Sequence, residues 1–126
     1  MSFRAPLARA RGLGSAKEGT SHWIMQRITA VALVPLCLWF VVSVLMLVHA
    51  DYVSVVNWMH TPWVAVLLVL LVATVYWHAC LGLQVVVEDY VHDEWLKLGV
   101  IMLIRFMSVI LAAAGIFVVL RVAFGG

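Results

Sequence analysis

His78 stands inside a long uncharged run, in the segment Tyr76-Trp77-His78-Ala79-Cys80-Leu81-Gly82. An imidazole among apolar residues must find a polar partner, because an unsatisfied buried donor or acceptor is costly. Two kinds of partner meet that need: a hydrogen bond across a helix interface, or a metal centre such as haem iron. At about 100° per residue, Thr74, His78, Gly82, Val85 and Asp89 share one helical face. The small side chains of Thr74 and Gly82 flank the histidine, as close approach of a neighbouring helix or a flat cofactor requires. Helix packing alone accounts for Gly82, but it gives no reason for the histidine.

Two further groups carry possible chemistry. Glu88-Asp89-Tyr90 follows on the same segment, with Asp89 eleven residues after His78. A tyrosine hydroxyl at a membrane boundary can donate to a quinone carbonyl, and a neighbouring carboxylate can relay protons as the quinone is reduced. The plainer alternative is an interfacial tyrosine beside a solvated acidic loop. Arg27, in Gln26-Arg27-Ile28-Thr29-Ala30, can neutralise a haem propionate or hold the headgroup level. The other histidines fall elsewhere: His49 near the far end of the first apolar run, His60 in the loop after it, His22 and His92 in flanking polar segments. One histidine at this depth cannot ligate a haem from both sides, so if His78 is an axial ligand the opposite one must come from another chain. Cys37 and Cys80 lie in apolar runs with no CxxC spacing and read as buried thiols.

The elements that position these residues follow from composition. The chain has 126 residues, of which 66% are hydrophobic and 11% charged, and its mean hydropathy is +1.11. A soluble domain this small could not hide so much apolar surface, whereas lipid accepts it. The net charge of +2 is too small to suggest nucleic acid. Residues 1–27 read as a polar, basic arm, with Gly12, Gly14, Ser15, Gly19 and Ser21 arguing for irregular backbone over most of its length. Uncharged spans of about 20–25 residues follow near 28–50 and 63–87, and a third lies near 98–122. Residues 51–62 and 88–97 read as a polar connection and a charged loop. Pro35 is expected to kink the first span. Arg105 and Arg121 sit where long side chains can reach the headgroups. All three spans must be helices, since open sheet edges cannot lie in lipid. The expected fold is therefore all-α, three transmembrane helices forming part of a larger, heteromeric bundle.

Lys and Arg placement orients it. The arm carries Arg4, Arg9, Arg11, Lys17 and Arg27, the second loop carries Lys97, and the 51–62 connection carries none. The positive-inside rule puts the arm and the second loop in the cytoplasm.

Taken together, these residues resemble the small hydrophobic membrane-anchor subunit of succinate dehydrogenase. Three features carry the resemblance: Gly19-Thr20-Ser21-His22-Trp23 leading into Gln26-Arg27-Ile28-Thr29-Ala30; His78 with Gly82 and Gln84; and Asp89-Tyr90. The segment from Arg11 to Gly19 also looks like the alphaproteobacterial and mitochondria-related branch. The larger anchor's Ser-Pro-His and His-Arg-x-Thr-Gly segments are absent.

The resemblance implies that His78 is one axial ligand of a haem b, the other coming from the larger cytochrome b anchor subunit. It implies that Tyr90 hydrogen-bonds ubiquinone with Asp89 beside it, and that Arg27 lies near the haem propionates or the quinone. The expected partners are that cytochrome subunit, an iron–sulfur subunit and a flavoprotein subunit, in a bacterial inner membrane. The complex would pass electrons from succinate, in the tricarboxylic acid cycle, to ubiquinone. With no flavin motif, iron–sulfur cysteine cluster or nucleotide loop, the chain is expected not to be catalytic alone. The competing readings are a haem-binding anchor of another quinone-linked complex such as fumarate reductase, and a cofactor-free scaffold.

Overall fold

The computed structural model describes residues 16–125, so most of the basic arm lies outside the described residues. Those residues form four α-helices: α1 (Ala16–Leu47), α2 (Tyr52–His60), α3 (Pro62–Tyr90) and α4 (Glu94–Phe124). Three of them, α1, α3 and α4, are long and apolar enough to cross a membrane. Chain direction alternates, so the start of α1, the end of α3 and the start of α4 share one end of the bundle. The end of α1, the start of α3 and the end of α4 share the other, where α2 lies against α3 and α4.

The helix boundaries have local causes. Asp51 precedes α2 and accepts a hydrogen bond from the Ser54 amide at 3.1 Å, an N-cap for the free donors of the first turn. Hydrogen bonding to the Ser54 side chain, then to its backbone N–H, holds the Asp51 carboxyl below its ordinary value. Pro62 opens α3, where a missing N–H costs nothing. Asp93 caps α4 by accepting from the Trp95 and Leu96 amides at 3.0 and 3.3 Å. Glu94 in the first turn and Arg121 in the last both complement the helix dipole.

Three boundaries differ from the sequence expectation. Helix α1 starts at Ala16, so Gly19 and Ser21 of the expected arm are helical. A mid-helix glycine loses about 1 kcal/mol against alanine, but this turn carries His22 and Gln26 onto the bundle, and packing outweighs propensity. The 51–62 connection contains α2, whose nine residues are too short to register in hydropathy. The charged loop shrinks to Val91-His92-Asp93, because α3 runs through Tyr90 and α4 begins at Glu94. A hydropathy edge marks where lipid ends, and a helix has no need to stop there. Helix α1 also runs through Pro35.

Helix α3 is the centre of the arrangement, packed on α1 along one side and on α4 along another. Its buried residues include Val64, Ala65, Leu68 and Leu71. Val64 and Leu68 meet Val119 of α4, with Trp39 and Trp58 packed against them. Trp39 stacks on Trp58 at 5.8 Å and meets Trp63 edge-on at 6.2 Å, so an aromatic cluster closes this end of the bundle. Gly115 lets α4 approach: a Cβ there would stand 3.0 Å from a Val72 methyl.

Gly115→Leu is therefore expected to destabilise the α3–α4 pair by about 1–3 kcal/mol, read as a lower Tm of the detergent-purified complex. Gly99→Ala, whose added methyl meets nothing within 4 Å, is expected to leave Tm unchanged or raise it.

Candidate functional site

The half-buried His78 lies on α3 about 18 Å from Tyr90, twelve residues further along. Its Nδ1 is 3.0 Å from Oγ1 of Thr29 on α1. Thr29 is only 5% exposed, the most deeply buried polar side chain among the described residues. The same hydroxyl lies 2.8 Å from the Met25 carbonyl and 3.0 Å from that of Gln26, so it is also tied back onto its own helix. One turn along α3, the space above Gly82 is filled by Gln26, whose Nε2 stands 3.7 Å from where a Cβ would be. Thr29 against His78 and Gln26 against Gly82 give the register of the antiparallel α1–α3 contact. The face expected to carry His78 and Gly82 thus meets a neighbouring helix. Nδ1 is the ring nitrogen of His78 that has a hydrogen-bond partner among the described residues.

Toward the end of the bundle where α1 begins, α1, α3 and α4 enclose a cavity of about 1070 Å³, lined by His22, Gln26, Trp77, Gln84, Glu88 and Arg105 among others. A polar string crosses it. Arg105 on α4 donates from Nη2 to Gln84 Oε1 at 3.0 Å, and Gln84 Nε2 donates to Glu88 Oε1 at 3.0 Å. Two side-chain atoms of lining residues, His22 Nε2 and Gln26 Oε1, are buried and have no hydrogen-bond partner among the described residues. Buried polar atoms are normally paired, so these two are exceptions among the described residues. A second, almost wholly apolar cavity of about 450 Å³ runs between α3 and α4 beside Tyr76, Cys80 and Ser108.

The remaining sequence-expected residues stand apart from His78. Asp89 and Tyr90 are the last two residues of α3 and are exposed, Tyr90 to 79%. Their place on an unbroken helix keeps the eleven- and twelve-residue offsets from His78. Arg27 lies over the Trp23 ring at 5.1 Å, a cation–π contact on α1. Among the described residues no hydrogen bond or ion pair joins Arg27, Asp89 or Tyr90 to His78. No group of three or more His, Cys, Asp and Glu side chains able to hold a metal occurs there either.

Sequence reasoning named Thr29, Gln26, His22, Gln84 and Glu88 within motifs but did not foresee the Thr29–His78 contact or the Arg105–Gln84–Glu88 string. Gln84 and Glu88 are four apart, a helical hydrogen-bonding pair that was legible. The pairing of Thr29 with His78 was not, because nothing local sets the register of two helices whose sequence separation is 49.

A family model described as succinate dehydrogenase/fumarate reductase transmembrane subunit matches residues 1–112. The chain belongs to this family. Its relatives are similar over nearly their full lengths. The succinate dehydrogenase hydrophobic membrane anchor subunit of Rickettsia bellii is 37% identical over 113 residues, 89% of this chain and 90% of that one. The Paracoccus denitrificans protein of the same description is 29% identical, over 90% of this chain and 88% of its own. The succinate dehydrogenase membrane anchor subunit of Reclinomonas americana is 27% identical over 74% and 80%. No solved structure matches significantly. As a member of this family the chain is a multi-pass membrane anchor, and its three spans agree with that.

The Arg105–Gln84 bond joins two spans, and a double-mutant cycle tests it. Arg105→Met and Gln84→Leu are expected to couple by about 0.5–3 kcal/mol in the thermal stability of the purified complex. Strict additivity would contradict the link.

Proposed function

We propose that the chain tethers the flavoprotein and iron–sulfur subunits of a succinate dehydrogenase to the bacterial inner membrane, with its N-terminus in the cytoplasm. In this reading His78 is one axial ligand of a haem b shared with the cytochrome b anchor subunit, and Asp89 and Tyr90 form part of the ubiquinone-reduction site. The observation that carries it is the state of His78: a half-buried imidazole on the central span with Nδ1 engaged by Thr29. A metal-ligating histidine commonly has its other ring nitrogen engaged in this way. His78 would supply one ligand to the haem iron, and a partner chain would have to supply the other. Haem, when bound, would supply a one-electron redox centre within the membrane.

The chain's own residues have separate tasks in this account. Thr29 and Gly82 set the place of His78 by fixing the approach of α1 to α3. Tyr90, exposed at the end of α3, donates its hydroxyl to a quinone carbonyl at the membrane boundary. Asp89 beside it supports proton delivery as the quinone is reduced. Arg27, at the same end, neutralises a haem propionate or holds the headgroup level. The basic arm, with no basic residue in the 51–62 connection, supports the cytoplasmic placement of this end. That is the face on which an electron-donating pair of soluble subunits has to dock.

Two variants of the assembled complex separate the tasks. His78→Ala is expected to abolish or distort a low-spin b-type spectrum. Tyr90→Phe is expected to keep that spectrum while lowering succinate:quinone reductase activity by about 10²-fold, with succinate oxidation by a water-soluble dye unaffected. An unchanged haem spectrum in His78→Ala would refute the ligand assignment, and full quinone reduction in Tyr90→Phe would refute the quinone contact.

A further inference from the structure

We infer that Thr29 is the positioning residue for His78: it selects the Nδ1–H tautomer and fixes the ring plane, so that the lone pair of Nε2 is presented to a ligand outside the three-helix unit. The inference rests on the haem-ligand reading proposed above and adds the residue that prepares the ligand.

The argument is a count of protons. Thr29 Oγ1 makes three close polar contacts, to the Met25 carbonyl at 2.8 Å, the Gln26 carbonyl at 3.0 Å and His78 Nδ1 at 3.0 Å. Its hydroxyl has one proton. Carbonyl oxygens only accept, so the two contacts on its own helix are attractive only if that proton points toward them. Were it turned to Nδ1 instead, two carbonyl oxygens would be left facing the hydroxyl oxygen lone pair to lone pair, at hydrogen-bonding distance and in a buried place. The contact with His78 therefore has Nδ1–H as donor and Oγ1 as acceptor. A neutral imidazole has one N–H, so Nε2 keeps its lone pair free, and this is the form that binds a metal.

The same contacts fix geometry. A threonine bonded to the carbonyls three and four residues back is held in one rotamer on α1, and its burial at 5% exposure leaves it little room to turn. An acceptor fixed in space fixes the direction of the Nδ1–H bond and with it the plane of the ring. Gln26, one turn earlier on α1, packs over Gly82 and keeps the helices at the separation that this bond needs.

The test uses the complete complex purified from its native membrane, with Thr29→Val and Thr29→Ser compared with the unsubstituted protein. Haem-to-flavin ratio reports retention, the EPR signal of the oxidised low-spin haem reports axial ring orientation, and recovered flavoprotein reports assembly. Valine matches threonine in shape but cannot accept a hydrogen bond; serine can. Thr29→Val is expected to weaken haem retention by about 10–100-fold and to shift or broaden the EPR signal of whatever haem remains, with assembly intact. Thr29→Ser is expected to restore both. Retention and EPR signal unchanged in Thr29→Val would overturn the inference while leaving the ligand reading standing, as would a loss that serine fails to rescue. An unsubstituted complex that assembles without b-type haem would sink the ligand reading itself.

Discussion

The hydrogen bond between Thr29 and His78 joins two long apolar helices at a part-buried contact. Polar groups there are satisfied by protein or left costly, so an imidazole on α3 demands a polar side chain on whichever helix faces it. Much of the rest follows from that demand. Thr29 has to be buried, α1 has to approach α3 closely enough to bury it, and Gly82 has to be small where Gln26 crosses. The helical start of α1 at Ala16 is part of the same arrangement, since it brings His22 and Gln26 to the bundle.

Between these helices the attraction is not hydrophobic in the usual sense, because lipid tails are as apolar as leucine. Close packing and a few polar links hold the spans together instead. Val72 against Gly115 and the core of Val64, Leu68 and Val119 supply the packing between α3 and α4. Arg105, Gln84 and Glu88 supply a polar link between the same two helices toward the opposite end. The unit nonetheless leaves most of its surface open. No hydrophobic residue described on α1 is buried, and only 22% of the most apolar stretch of α3 is. A helix trio this exposed suits lipid and neighbouring subunits.

The sequence was legible where a single helix carried the information. Uncharged length marked three spans, and all three are present as helices. The offsets from His78 to Gly82, Asp89 and Tyr90 hold because α3 is unbroken from Pro62 to Tyr90. Membership in the succinate dehydrogenase anchor family was legible from short motifs in the right order, and the family match bears it out. What stayed hidden depended on two helices at once. The pairing of Thr29 with His78 is set by the register of α1 on α3, which no local spacing encodes. Helix ends were misjudged for a related reason: Glu88, Asp89 and Tyr90 are polar enough to leave lipid, yet nothing in them breaks a helix.

The proposed completion of this bundle by a partner that shares a haem at His78 can be tested on the native complex. The most direct measurement is to purify the tagged chain from its native membrane in mild detergent, identify the subunits that come with it and record a reduced-minus-oxidised spectrum. The account predicts a flavoprotein, an iron–sulfur protein and a second membrane subunit, together with a low-spin b-type haem. A chain that comes away without these subunits, or a complete complex with no b-type signal, would contradict it.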